Sequence, residues 1–276
     1  MADCAMSVHR LGPAIGAEIR GVDLSRPLDM ATASGLRQAL GEHEVIFIRD
    51  QTLSPARHVE LARVFGDPEP AAHPKFGHAE GHPEVAVVVN DADHPPDINV
   101  WHTDLTFIDA PPAACVLYCV EPAALGGDTI WASMTAAWNA LSPRLQALLE
   151  ALHARHLLRL DGIPMEVIRS LGDRQISAVH PVARVHPETG RVALFINGVY
   201  TRRIEEFTEE ESHHLLPALL KLAERPEFQV RFRWSRGSIA IWDNRCTQHY
   251  AVADYYPSRR VMHRVTVLGT RPIGPD

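Results

Sequence analysis

A histidine and an aspartate two residues apart, His102 and Asp104, are the first residues in the sequence whose spacing could do chemistry. In an extended chain, residues i and i+2 project from the same face, so this imidazole and this carboxylate can reach one point. Two histidines and one carboxylate form the ligand set of non-haem Fe(II) oxygenases. His249, just beyond a strand predicted at residues 239–242, is the second histidine that we expect to complete the set. Because an isolated HxD pattern also occurs by chance, this prediction needs support from the rest of the chain.

A strand predicted at residues 260–268 has two arginines on one face. Arg260, Met262 and Arg264 alternate with Val261 and His263. If both faces of the strand are covered, two guanidinium groups point into the interior, where an unpaired charge is very costly. They then need anions, and arginine suits bidentate recognition of a carboxylate or a sulfonate. An internal Arg–Asp or Arg–Glu pair, or a solvated edge strand, is the alternative that the pattern leaves open.

Short strands dominate the secondary structure that the sequence predicts. Residues 228–234 alternate strictly between apolar and polar, and residues 84–90 and 113–120 are typical of buried strands. Many short strands with helical insertions, whose partners lie far apart in the chain, indicate a mainly β protein with α insertions, a double-sheet jelly roll flanked by helices. No linker or repeat divides the chain, so we expect residues 1–276 to form a single domain.

Four helices are predicted between the strands. The first covers residues 31–43, and the second follows Ser54, a residue suited to an N-cap, with proline next to it. A long amphipathic helix is expected over residues 135–156, and a capping box opens another that runs from Thr208 through residue 225. His153 and His156 fall on the long helix, where we expect a surface or packing role without metal.

The bulk composition excludes several classes of protein. The chain has 276 residues, 27 Lys and Arg against 34 Asp and Glu, and a formal net charge of −7. This acidic balance argues against nucleic acid as a partner, because nucleic-acid binding needs a basic face. No apolar run approaches the about 20 residues that span a bilayer, and the first residues lack the pattern of a signal peptide, so we expect no membrane partner. The four cysteines form no CxxC pair, which favours reduced thiols and a cytoplasmic protein.

Several longer stretches resemble the taurine dioxygenase family of Fe(II)/2-oxoglutarate-dependent oxygenases. They are WHTDLTF, GGDTIWAS, HPVARVHPETG, IAIWDNRCTQHYAVADY and RRVMHRVTVLG, and weaker matches extend the resemblance over nearly the whole chain. The resemblance implies a double-stranded β-helix (jelly roll) fold. It also implies a dioxygenase that uses Fe(II), O₂ and 2-oxoglutarate as co-substrate, and that oxidises a C–H bond of a small anionic substrate while forming succinate and CO₂.

The resemblance further implies roles for individual residues. His102, Asp104 and His249 would bind the iron as the catalytic ligand set. Arg260 and Thr129 would hold the distal carboxylate of 2-oxoglutarate. The residues that would line the substrate pocket are Arg264, which would grip a sulfonate, together with His73, Phe76, Ile98, Leu105 (through its backbone N–H) and Tyr200.

Three of these positions depart from the taurine enzyme, and they bear on the substrate. Ile98 replaces an asparagine that helps recognise the polar end of taurine, Phe76 replaces a tyrosine, and Tyr200 replaces a phenylalanine. The hypothesis is an anionic substrate with a more apolar body than taurine: an alkyl sulfonate, an alkyl sulfate or a hydrophobic carboxylate. Taurine itself stays open as an alternative. Residues 156–177, where a lid over the substrate would fall, do not align clearly.

Other functions stay open at this point. One is a jelly-roll module that binds an anion without redox chemistry. Another is an oxygenase with a different outcome, such as desaturation or ring expansion, because the same ligands serve those reactions. The resemblance also implies a homo-oligomer.

Overall fold

Strands make up most of the regular structure in the computed structural model, which describes residues 6–70, 77–96, 98–159 and 175–275. Within these residues the strands are β1 (Ser7–Arg10), β2 (Ala17–Arg20), β3 (Val45–Ile48), β4 (Pro68–Glu69), β5 (Gly77–Ala79), β6 (His82–Asn90), β7 (Ala114–Glu121), β8 (Thr129–Ser133), β9 (His153–Leu157), β10 (Ser177–Pro181), β11 (Ala183–Val185), β12 (Val192–Leu194), β13 (Thr201–Ile204), β14 (Gln229–Phe232), β15 (Ile239–Asp243), β16 (Thr247–Ala251) and β17 (Arg260–Val267). The helices are α1 (Met30–His43), α2 (Pro55–Arg63), α3 (Met134–Asn139), α4 (Pro143–Glu150) and α5 (Glu209–Leu220), with 3₁₀ turns at Lys221–Glu224 and Pro226–Phe228.

Two sheets pack face to face and form the centre of the fold. The larger one has the order β1-β2-β3-β15-β7-β17-β6-β5, with β4 paired to β17, and the smaller one has the order β14-β8-β16. Residues from both sheets meet in one buried apolar cluster, which includes Phe47, Trp131, Phe232, Trp242 and Met262. Two packed sheets whose neighbours lie far apart in the chain confirm the predicted jelly roll.

The opposite face of the larger sheet is covered by helices. Because side chains alternate along a strand, Ile46 and Ile241 face away from the jelly-roll interior, and they pack against α1 and α2. Both helices begin where the sequence predicts: Asp29 and Ser54 accept hydrogen bonds from backbone N–H groups of the first turn. The central strands β3 and β15 of the larger sheet are therefore buried on both faces.

The long helix predicted over residues 135–156 is wrong. The segment contains α3, α4 and then β9, which pairs with β10 and β13. Pro143 lacks the N–H that a continuous helix needs, and Ser142 caps a new helix by accepting from the backbone N–H of Leu145. His153 and His156 consequently lie on a strand, where alternation exposes the first and buries the second.

Strand β17 holds both arginines of the predicted anion site. It lies between β7 and β6 and is not an edge strand, which removes the solvated-edge alternative. Met262 packs in the jelly-roll interior, so Arg260 and Arg264 on the same face also point toward the interior. None of the helices in the described residues is long and apolar enough to cross a bilayer.

Candidate metal and anion site

The two predicted histidine ligands meet through a backbone bridge. His102 N–H donates to the His249 carbonyl at 3.0 Å, and His249 N–H donates back to the His102 carbonyl at 2.8 Å. The next residue continues the attachment, because the Thr103 hydroxyl donates to the Thr247 carbonyl at 2.8 Å. The two imidazole centroids lie 4.0 Å apart as a result. Residues that are far apart in the sequence are thus fixed side by side by main-chain hydrogen bonds.

Asp104 completes a group of three possible metal ligands. Its Oδ1 lies 3.8 Å from Nε2 of His102, and its Oδ2 lies 4.0 Å from Nε2 of His249. One ligand atom from each residue falls within 4.8 Å of the other two, and all three side chains are buried. Two imidazole nitrogens and a carboxylate oxygen facing one point can hold a divalent transition metal.

The protonation of the histidines suits metal binding. Nδ1 of His102 lies 2.9 Å from the Val100 carbonyl, so Nδ1 carries the proton and Nε2 keeps its lone pair. A histidine ligand held in this way by a carbonyl is common at metal sites. Burial lowers the pKa of His102 and of His249 below the usual range, which keeps both rings neutral. Each neutral ring therefore has a lone pair to offer a metal, and in His102 that lone pair is on Nε2.

A second group, His186, Asp243 and Cys246, is less suited to a metal. Nδ1 of His186 accepts two backbone N–H groups, so its proton is on Nε2, which donates to Asp243 at 2.9 Å. Arg245 also donates to both oxygens of Asp243. Burial raises the pKa of the Cys246 thiol well above its usual range. The donor atoms that a metal would need are already used, and this group is a hydrogen-bonded ion cluster.

Arg264 lies directly beside the triad. Its Nη2 is 2.8 Å from Oδ2 of Asp104 and 3.2 Å from Sγ of Cys115. Burial alone would raise the pKa of Asp104, but the positive charge of Arg264 holds that pKa well below its usual range. The internal Arg–Asp pair left open by the sequence does occur, and its carboxylate belongs to the triad itself. A guanidinium beside a metal group is well placed to receive a second anion.

Arg260 lies deeper and has no carboxylate within ion-pair distance among the described residues. It is buried, its Nε has no hydrogen-bond partner, and burial lowers its pKa. The Trp234 ring faces its guanidinium, and the indole N–H donates to Oγ1 of Thr129 at 3.0 Å. Trp234 thus links Arg260 with Thr129. Gly127 next to Arg260 has φ +71°, which favours glycine, and an added Cβ would lie 3.1 Å from Cδ1 of Tyr255.

These features fit the group that the sequence analysis predicts. A buried guanidinium with a free N–H needs an anion, and a hydroxyl that already accepts from an indole can donate to a carboxylate. A triad with neutral imidazoles fits Fe(II), and a dicarboxylate reaching from the metal toward Arg260 and Thr129 matches the chemistry of 2-oxoglutarate.

The residues predicted to line the substrate pocket are only partly described. Leu105 has φ +51°, a left-handed conformation that is unusual for a branched side chain and turns the chain directly after Asp104. Ile98 is 41% exposed in the segment that leads to His102. His73 and Phe76 lie outside the described residues, as does most of the predicted lid region.

A buried polar network beneath this segment was missed by the sequence analysis. The Thr106 hydroxyl lies 2.8 Å from Nδ1 of His156 and accepts from Nδ2 of Asn197 at 2.9 Å, and Nε2 of His180 lies 2.9 Å from the Thr106 carbonyl. Oδ1 of Asn197 accepts the backbone N–H of Tyr200 at 2.9 Å. His156 therefore supports the ligand-bearing segment through Thr106, and Asn197 connects that segment with the predicted pocket residue Tyr200. No pattern of spacing in the sequence indicates these contacts.

Two facing imidazoles and a carboxylate inside a jelly roll that also buries an arginine are features of the Fe(II)/2-oxoglutarate-dependent dioxygenases. The chain belongs to the family described as Taurine catabolism dioxygenase TauD, TfdA family, which matches residues 7–266. It is an enzyme of this type and uses Fe(II), 2-oxoglutarate and O₂.

Several similar proteins have names that refer to sulfate esters, alkyl sulfates or taurine. An α-ketoglutarate-dependent sulfate ester dioxygenase from Pseudomonas putida is 39% identical, over 98% of this chain and 92% of its own. An alkylsulfatase from Acinetobacter baylyi is 36% identical, over 96% and 85%. A solved taurine dioxygenase from Burkholderia xenovorans is 38% identical, with a TM-score of 0.87 over 99% of this chain and 92% of its own.

The buried histidines predict a loss of stability in mild acid. Burial lowers the pKa of His180 to about 4 in the folded protein, whereas an exposed histidine in the unfolded chain has a pKa of about 6.5. The unfolded state therefore takes up a proton first, and stability falls as the pH drops from about 6.5 toward 4, by up to about 1.4 kcal/mol per pH unit for one group. Urea unfolding of the metal-free protein at pH 7.5, 6 and 5 measures this slope, which we expect to be shallower in His180→Gln.

His153→Gln is the matched control, since His153 is half exposed. It should leave the pH slope unchanged. A His180→Gln variant with the slope of the wild type would contradict this account.

Proposed function

We propose that His102, Asp104 and His249 are the iron ligands, and that Arg260 and Thr129 hold the distal carboxylate of 2-oxoglutarate. The observation that carries this proposal is the convergence of Nε2 atoms from two neutral histidines on the Asp104 carboxylate. The free Nε–H of buried Arg260 supports the second part, as does the Thr129 hydroxyl, which accepts from the same Trp234 that faces this guanidinium.

The overall reaction balances with one O₂. One oxygen atom enters succinate as 2-oxoglutarate loses CO₂, and the other enters a C–H bond of the substrate. The iron, when bound, supplies this oxidising chemistry. The protein positions the reactants: Arg260 orients the co-substrate, and the buried walls around the triad exclude water.

We propose an alkyl sulfate ester or alkyl sulfonate as the substrate, held through its anionic group by Arg264. This guanidinium lies beside the triad, and its planar donors match the oxygens of a sulfate or sulfonate. Ile98 offers an ammonium group no acceptor, and with Val100 it gives the segment before His102 an apolar surface. Hydroxylation of the carbon next to a sulfate ester oxygen leaves OH and OSO₃⁻ on one carbon, which breaks down to an aldehyde and sulfate. A hydrophobic carboxylate is the second candidate, since the same arginine would bind it.

The homo-oligomer and the cytoplasmic location stay predictions, as does the single domain.

Replacing His102 by alanine should abolish succinate formation that depends on substrate, because the metal loses one of its three ligands. His153→Ala is the matched control, an exposed histidine that is paired with Glu206. Succinate is measured by mass spectrometry, with circular dichroism as the check on folding. A folded His102→Ala variant with wild-type turnover and normal iron dependence would contradict the ligand assignment.

A panel of hexyl sulfate, hexane-1-sulfonate, hexanoate and taurine tests the substrate. We expect the kcat/KM of hexyl sulfate or hexane-1-sulfonate to exceed that of taurine roughly tenfold, because apolar walls discriminate by buried methylene groups. Hexyl sulfate should release sulfate and hexanal in step with succinate. If the kcat/KM of taurine equals that of the best substrate in the panel, the apolar pocket is contradicted. If hexanoate has the highest kcat/KM, a hydrophobic carboxylate is the favoured substrate class.

The role of Arg264 is tested on the best substrate of this panel. Arg264→Gln should raise its KM by roughly 30-fold, since a buried anion loses its charged partner. Arg231→Gln, a half-exposed arginine paired with Asp128, is the control and should leave KM unchanged.

A further inference from the structure

The side-chain amide of Asn244 forms hydrogen bonds with both the backbone N–H and the backbone carbonyl of Asp104. Its Oδ1 accepts the Asp104 backbone N–H at 2.9 Å, and its Nδ2 donates to the Asp104 carbonyl at 3.1 Å. The second hydrogen of Nδ2 goes to the Pro112 carbonyl, also at 3.1 Å. The side chain is wholly buried. Both donors of this amide and an acceptor are therefore used, and two of the three hydrogen bonds hold Asp104.

The Asp104 backbone needs this support more than the histidines do. His102 and His249 are fixed to each other by their own backbone bridge, and that bridge ends before Asp104. From Asp104 onward the chain turns, and Leu105 takes a left-handed conformation. In the described residues, the N–H of Asp104 has its hydrogen bond with Asn244.

Asn244 also connects Asp104 with the strand of the second histidine. It lies in the turn between β15 and β16, five residues before His249, and its own N–H donates to the Ala113 carbonyl at 2.9 Å. A rigid amide between this turn and Asp104 fixes the distance from the carboxylate to His249. We propose that Asn244 is the positioning residue for the carboxylate ligand: it holds the Asp104 backbone so that the carboxylate faces both imidazoles before a metal binds. This inference rests on the proposed ligand set.

The consequence is a measurable change in metal affinity. Groups that orient a metal ligand without touching the metal typically contribute about 10- to 100-fold to affinity. Asn244→Ala removes all three hydrogen bonds, so we expect the Kd for Fe(II) to rise about tenfold or more. Asn244→Asp keeps the shape and the acceptor for the Asp104 N–H but loses both donors, and we expect it to weaken Fe(II) binding as well.

Gln51→Ala is the matched control. Gln51 accepts the Leu24 N–H at 2.8 Å and donates to the carbonyls of Val22 and Arg49, so it also clamps main chain, but it holds no proposed ligand. We expect Gln51→Ala to lower the urea midpoint, as Asn244→Ala does, while its Kd for Fe(II) stays within about twofold of the wild type. The Kd for Fe(II) therefore distinguishes a loss of ligand positioning from a general loss of stability.

The experiment is an anaerobic Fe(II) titration of each intact variant by calorimetry, after near-UV circular dichroism has shown that it is folded. An Asn244→Ala Kd within twofold of the wild type would overturn the inference, and Asn244→Asp decides by the same criterion if the alanine variant does not fold. His102→Ala in the same series distinguishes an error in the proposed ligand set from an error in the role of Asn244. If His102→Ala binds Fe(II) as tightly as the wild type, the proposed ligand set is wrong. If only His102→Ala loses affinity, the ligand set stands and the role of Asn244 is wrong.

Discussion

The arrangement of the site depends on the pair of backbone hydrogen bonds between His102 and His249. These two bonds bring one segment that precedes β7 against β16 and set the imidazoles 4.0 Å apart. The Thr103 hydroxyl extends the attachment to Thr247. Because main-chain bonds fix the positions of both Cα atoms, the two imidazoles lie side by side. The relative position of the two histidines is therefore set by this backbone bridge.

Charge explains why polar groups can be buried at this centre. Asp104 stays ionised because Arg264 lies against it, and the pKa of the neighbouring Cys115 thiol, raised to about 12 by burial, keeps that group neutral. Arg260 is different, since the described residues give it no carboxylate. A buried guanidinium with a free N–H is costly for the fold and favourable for binding an anion. Arg264 is thus paired with a carboxylate of the site, whereas Arg260 has no carboxylate partner among the described residues.

Much of this could be predicted from the sequence, because alternation and short-range spacing are local properties. The HxD spacing, the shared face of Arg260 and Arg264, and the helix caps at Ser54 and Thr208 are all found in the structure. The prediction of one helix over residues 135–156 is wrong. The amphipathic pattern favours a continuous helix, but Ser142 and Pro143 begin a new one. The evidence against a helix is the pairing of β9 with strands later in the chain, which no local pattern shows.

The polar partners of the site were harder to predict for the same reason. Asn244 contacts Asp104, and Asn197 contacts Thr106, across long separations in the chain. No sequence pattern identifies an asparagine that binds the main chain of a distant segment, and asparagine is common in turns for other reasons. The sequence predicts a surface or packing role for His156, and only the strand register places it beneath the ligand segment. Residue types could therefore indicate the metal and its anions, whereas their supporting hydrogen bonds needed three-dimensional contacts.

The most direct test of the central claim is the location of the iron. Crystals grown anaerobically with Fe(II) and 2-oxoglutarate, measured at the iron absorption edge, give an anomalous peak wherever the metal binds. The account predicts one strong peak bounded by Nε2 of His102, a carboxylate oxygen of Asp104 and Nε2 of His249, with the distal carboxylate of 2-oxoglutarate against Arg260. No peak at this position, or the main peak at His186, Asp243 and Cys246, would contradict it.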